Sequence, residues 1–74
     1  MSAQPKPFPQ TRPERYREIA AEAIELADER RLKAQKCLEA GDTDLASEYL
    51  RLASEALTRA NRYLVLADFT EKTA

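Results

Sequence analysis

Beyond Pro13 the chain contains no further proline and a single glycine, Gly41, which stands between two long runs of helix-forming residues. That placement leaves few folds open. A proline suits the first helical turn, where its missing N–H costs nothing, and Thr11 or Arg12 precedes Pro13 as a cap. Glu14 and Glu18 follow near the positive end of the helix dipole. A first helix is therefore expected over 13–40, closed by Gly41 in the left-handed conformation that glycine adopts without strain. Asp42 and Thr43 are suited to start a second helix, expected over 43–70, with 71–74 as a short tail. Each helix would be roughly 40 Å long, and so short a connection folds them antiparallel. The apolar residues recur near every 3.6 positions and β-branched residues are few, so no strand is expected. The fold class read from the sequence is all-α: a helical hairpin of two long antiparallel helices.

Both helices carry more apolar surface than one partner helix covers. At about 100° per residue, Tyr16, Ile19, Ala20, Ala23, Ile24, Leu26, Ala27, Ala34, Cys37 and Leu38 fall within roughly 160° of arc. A similar arc on the second helix holds Leu45, Ala46, Tyr49, Leu50, Leu52, Ala53, Ala56, Leu57, Ala60, Tyr63, Leu64 and Ala67. Two antiparallel helices bury only the seam between them, which leaves the outer flanks wet unless another chain covers them. At 74 residues the chain is also near the lower limit for a self-sufficient core. Both points lead to a homo-oligomer, a dimer of hairpins forming a four-helix bundle.

Other residues stand out as contact candidates. Arg30 and Arg31 project by the same angular count into the arc of Ala27 and Ala34, either with their stems along the seam or as a pair presented to an acidic partner. Val65, Leu66 and Phe69 lie off the main stripe of the second helix, beside Arg51, Arg59 and Arg62, and form a candidate apolar contact site. All four prolines fall within residues 1–13, so 1–12 reads as a flexible, extended leader whose only large apolar residue is Phe8. Phe8 is expected either to stay loose or to dock on the helices or a partner.

The sequence argues against most chemistry. There is no histidine, and Glu18, Glu22, Glu25, Glu29, Glu48 and Glu55 project away from the apolar arcs, so the interior offers no metal-ligand set and no metal or cofactor is expected. Cys37 lacks an imidazole to activate it and reads as a small core residue. One glycine cannot build a phosphate-binding loop. An enzyme is not expected. Twelve basic against thirteen acidic residues give a net charge of −1, and acidic residues are interleaved with the clusters Arg12-Arg15-Arg17 and Arg30-Arg31-Lys33-Lys36. Binding to nucleic acid is accordingly disfavoured. The longest apolar run, Tyr63 to Ala67, is far short of a membrane span, and a lone cysteine without a leader peptide suits the cytoplasm.

The run Gly41-Asp42-Thr43-Asp44-Leu45-Ala46-Ser47-Glu48-Tyr49-Leu50-Arg51-Leu52-Ala53 resembles the turn and second helix of a tetratricopeptide repeat. There Gly-Asp precedes an alanine, a large apolar residue and another alanine, the places held here by Ala46, Leu50 and Ala53. MIT domains are similar in wording. The first helix departs from the repeat, with Arg30 and Cys37 where it carries aromatics, and no second copy follows at its period of about 34 residues. The resemblance implies a tightly turned helix pair that binds protein. The function expected is a non-enzymatic interaction module: an adaptor, assembly subunit or inhibitor that acts by occupying a protein surface. The alternative is a nucleic-acid-associated accessory factor whose dimer joins two arginine clusters.

Overall fold

The computed structural model describes residues 11–73; the leader segment 1–10 with Phe8, and Ala74, lie outside the described residues. Two helices make up the fold, α1 (Arg12–Glu39) and α2 (Thr43–Thr73), packed along their length as an all-α hairpin.

The ends of the helices are fixed by local chemistry. Thr11 is the N-cap of α1: its hydroxyl accepts a hydrogen bond from the Glu14 N–H (3.4 Å), and the Glu14 carboxylate accepts one from the Thr11 N–H (2.7 Å). This reciprocal pair satisfies two amides that the helix leaves without partners. Replacing Thr11 with Ala is expected to lower stability by about 1 kcal/mol, read from the urea midpoint at unchanged m-value.

At the other end of α1, the Gly41 N–H donates to the Leu38 carbonyl (3.0 Å) and the Asp42 N–H to the Cys37 carbonyl (2.8 Å). These two bonds close a Schellman motif and require Gly41 at φ 84°. A Cβ added at Gly41 would meet nothing within 4 Å, so Gly41→Ala is penalised by backbone strain alone. The expected loss is about 1–2 kcal/mol in a thermal melt, with Gly41→Asn losing less. Asp42 then caps α2, its carboxylate accepting from the Leu45 N–H (3.1 Å).

Residues 71–73, expected as tail, continue α2. Nothing in their sequence stops the helix, the Thr70 hydroxyl donates back to the Leu66 carbonyl (2.9 Å), and Glu71 pairs across the hairpin with Arg17 (2.5 Å).

The interior is narrower than the apolar arcs suggest. Along α1, Pro13, Tyr16, Ala20, Ala23, Ala27, Arg30, Ala34 and Cys37 alternate at spacings of three and four; along α2, Ala46, Tyr49, Ala53, Ala56, Ala60, Tyr63, Ala67 and Thr70 do the same. Every buried residue among those described belongs to these two rows, and every one is an alanine: Ala20, Ala23, Ala27, Ala34, Ala46, Ala53, Ala56, Ala60 and Ala67. This is a heptad repeat, the pattern that keeps a seam facing its partner as two helices supercoil. Alanine at so many seam positions lets the backbones approach closely, as small residues do wherever helices pack tightly. Ala20 and Ala23 meet Ala60 with Tyr63 packed against them, and Ala27 meets Ala53 and Ala56. The Tyr16 and Tyr63 rings, 5.8 Å apart, close the end of the hairpin away from the turn. Lys33 lies over the Tyr49 ring, 5.9 Å from its centroid, nearer the turn.

Close approach has a consequence for the large side chains. Burying an alanine methyl stabilises by about 0.8 kcal/mol, against roughly 1.5–3 kcal/mol for a leucine. The leucines are excluded from the seam, and Tyr16, Ile19, Leu26, Tyr49, Leu52 and Tyr63 are only half-buried in or beside it.

Candidate interaction surfaces

With an alanine seam at its centre, the hairpin is a slab that presents large apolar side chains on its outside. Among the described residues ten are exposed: Ile24, Leu32, Leu38, Leu45, Leu50, Leu57, Leu64, Val65, Leu66 and Phe69. Their positions in the repeat sort most of them onto two opposite faces.

The first face is formed by the residue that follows every second seam position. On α2 these are Leu50, Leu57 and Leu64, seven residues apart; on α1 they are Ile24 and Leu38, with Arg17 and Arg31 at the remaining places. The antiparallel register, in which Ala20 and Ala23 meet Ala60 and Ala27 meets Ala53 and Ala56, sets Ile24 level with Leu57 on this face. Arg17 and Glu71, with Asp68 4.0 Å from the same guanidinium, close one end of this face. The hydrogen bond to Glu71 holds the Arg17 guanidinium more firmly protonated than usual, with the charges of Glu71 and Asp68 acting the same way. An arginine is charged at physiological pH with or without such a shift, so this contact does not switch there.

The second face carries Ile19, Leu26, Leu45, Leu52 and Leu66, interrupted by Lys33 and Arg59 and bordered by Glu22, Glu29, Lys36, Glu48, Glu55 and Arg62. A groove of about 220 Å³ runs along it, lined by Ile19, Glu22, Ala23, Leu26, Ala56 and Arg59. That is below the range of roughly 300–1,000 Å³ in which small-molecule sites are found. Val65 and Phe69 extend this face toward the end of α2; Phe69 is 63% exposed.

The candidate contact residues do not form one cluster. Val65, Leu66 and Phe69 sit near the end of α2 that faces the start of α1, while Arg30 stands thirteen positions beyond Arg17, about 20 Å along the helix axis. Arg30 occupies a seam position between Ala27 and Ala34 and is half-buried; among the described residues no carboxylate pairs with it. Arg31 does not enter the arc as expected. The alanine seam is so narrow that one residue past Arg30 is already outside it, and Arg31 turns out to meet Asp28 on its own helix (2.5 Å). Phe8 lies outside the described residues.

Other charges are likewise matched locally. Arg15 pairs with Glu18, and Arg51 pairs with both Glu48 and Glu55, whose hydrogen bonds and charges raise its pKa further. Such exposed pairs contribute little to stability and mainly neutralise the surface. Cys37 is a free thiol, half-buried in the seam row. Among the described residues no three side chains of histidine, cysteine, aspartate or glutamate converge as metal ligands, and no helix is long and apolar enough to cross a membrane.

The missed feature is the leucine row. A broad arc weights Leu57 and Ala56 alike, whereas the alternation of alanines by three and four separates seam from flank. Comparison of the chain with family models, with curated proteins and with solved structures finds no match.

Proposed function

We propose that the chain is a small non-enzymatic interaction module that acts in the cytoplasm by binding another protein, and that it works as a dimer of hairpins. One observation carries this reading: among the described residues the hairpin buries only alanines and leaves ten large apolar side chains outside. Monomeric proteins rarely expose contiguous apolar surface of that extent without a partner for it. The turn and second helix, which resemble a tetratricopeptide repeat, support the same class of role. The pairing of Arg15, Arg17, Arg31 and Arg51 with carboxylates favours a solvated, neutralised surface over one that binds phosphates.

The site assigned to the partner protein is the end of α2 around Val65, Leu66 and Phe69, with Phe8 and the arginines Arg30 and Arg31 as further contacts. The test is capture from the source-cell extract by tagged chain, with bound proteins identified by mass spectrometry. A double variant, V65D/F69D, is expected to lose the captured protein at unchanged helicity. Retention of that protein by the variant would remove this site, and failure of the wild-type chain to capture anything above a tag-only control would remove the reading.

A further inference from the structure

The two apolar faces differ in a way that assigns one of them to a second copy of this chain. From Ser47 to Leu64, the α2 side of the first face consists of Leu50, Leu57 and Leu64 with Ser47, Ser54 and Asn61 along their outer border. No charge interrupts it. On the α1 side the border residues are Ala21, Asp28 and Gln35, and the charges present are already paired: Asp28 with Arg31, and Arg17 with Glu71. The second face also carries charges on both helices, and Lys33 and Arg59 stand among its leucines with no carboxylate paired to either among the described residues. Packing two copies through that second face would desolvate all of them.

We infer that the face bearing Leu50, Leu57 and Leu64, with Ile24 and Leu38, is the self-association surface through which two hairpins form a four-helix bundle. Three properties select a second copy as its occupant. In an isologous contact the same patch meets itself, so any net charge repels its own image; a face whose few charges are internally paired avoids this. The heptad supercoil keeps the leucine row on one side of the slab along its whole length, as face-to-face packing of two hairpins requires. The area also fits. Two helices about 40 Å long and about 10 Å wide present roughly 800 Å² on one face, which is what each partner contributes to a standard stable interface. The absence of charge on its α2 side between Ser47 and Leu64 matches the composition of interface cores.

This assignment rests on the interaction-module reading and divides its two surfaces: one face for the second copy, the Val65–Phe69 end for another protein. The experiment compares the full chain with two triple variants, L50A/L57A/L64A on the first face and L45A/L52A/L66A on the second. Alanine preserves helix propensity and leaves the seam intact, so circular dichroism on the same samples reports folding separately. Sedimentation equilibrium is expected to show a wild-type dimer. The first variant should weaken dimerisation at least ~100-fold, and the second less than ~10-fold. A wild-type chain that stays monomeric at millimolar concentration overturns the inference, as does a dimer dispersed only by the second variant. If the first variant loses helicity at low concentration, its recovery at high concentration with a dimeric mass supports the inference, because folding is then linked to this contact; recovery as a monomer overturns it. Protein capture through Val65 and Phe69 is read separately, so failure of the face assignment leaves the partner-binding reading standing.

Discussion

Substituting two facing seam alanines with leucine, A27L/A53L, is expected to unfold most of the protein at 25 °C. Both residues are essentially without solvent contact, at 0% and 2% exposure, and they share one cluster with Ala56. Added methylenes have nowhere to go unless the helices separate, and separation breaks the alanine contacts above and below. Overpacking of this kind costs about 1–3 kcal/mol per site, and sites in contact do not add simply. A single small core rarely supplies more than about 3–5 kcal/mol, so a loss of about 3 kcal/mol removes most of it. Ala21→Leu makes the same chemical change outside the seam, at the border of the self-association face, and should not destabilise the hairpin. Thermal melts followed by circular dichroism separate the two. A more stable double variant would mean that the helices are spaced for leucine and that the alanine seam is wrong.

Inserting one alanine between Leu57 and Thr58 is expected to be at least as damaging. The insertion turns the rest of α2 by about 100°, which moves Arg59 and Arg62 into the seam places of Ala60 and Tyr63. Neither charge has a carboxylate waiting there. Bringing an unpaired guanidinium into the seam costs several kcal/mol, so the half of the hairpin near Tyr16 and Tyr63 should open. An alanine inserted between Lys72 and Thr73, beyond the last seam residue Thr70, should leave the urea midpoint within error. Amide hydrogen exchange reads the asymmetry: residues 12–24 and 60–70 are expected to lose protection first, while those near Gly41 retain it longer. Uniform loss, or none, would show that seam phase does not govern this fold.

The fold class was legible because its signals are local. One glycine at φ 84°, a proline in the first turn and an aspartate after the glycine define two helices and a turn with no reference to packing. The end of α2 was less so, since Thr70 and Glu71 extend it through contacts with preceding carbonyls and with Arg17, which lies far away in sequence. The candidate surfaces divide along the same line. That the flanks of the stripes would be left outside follows from counting apolar residues, and Ile24, Leu38, Leu50, Leu57 and Leu64 are indeed exposed. How narrow the seam would be depends on the distance between helices, which alanine sets only when both rows are alanine at matching positions. An angular arc does not contain that pairing, and for this reason it takes in Arg31, whose side chain lies outside the seam. The spacing of alanines by three and four was present in the sequence, and it is the signal that separates seam from surface.

The most direct test of the alanine seam is a set of methyl–methyl NOEs in a mixed dimer of isotope-labelled and unlabelled chains, which separates contacts within a chain from contacts between chains. Within one chain, the methyls of Ala23 and Ala60, and of Ala27 with Ala53 and Ala56, are expected to show strong cross-peaks. The methyls of Leu50, Leu57 and Leu64 are expected to show cross-peaks between chains and, within one chain, none to the α1 seam alanines Ala20 and Ala27. Strong contacts within one chain between Leu57 and the seam residues of α1, with the alanine pairs silent, would show that the helices are rotated to bury leucine and would contradict the fold described above.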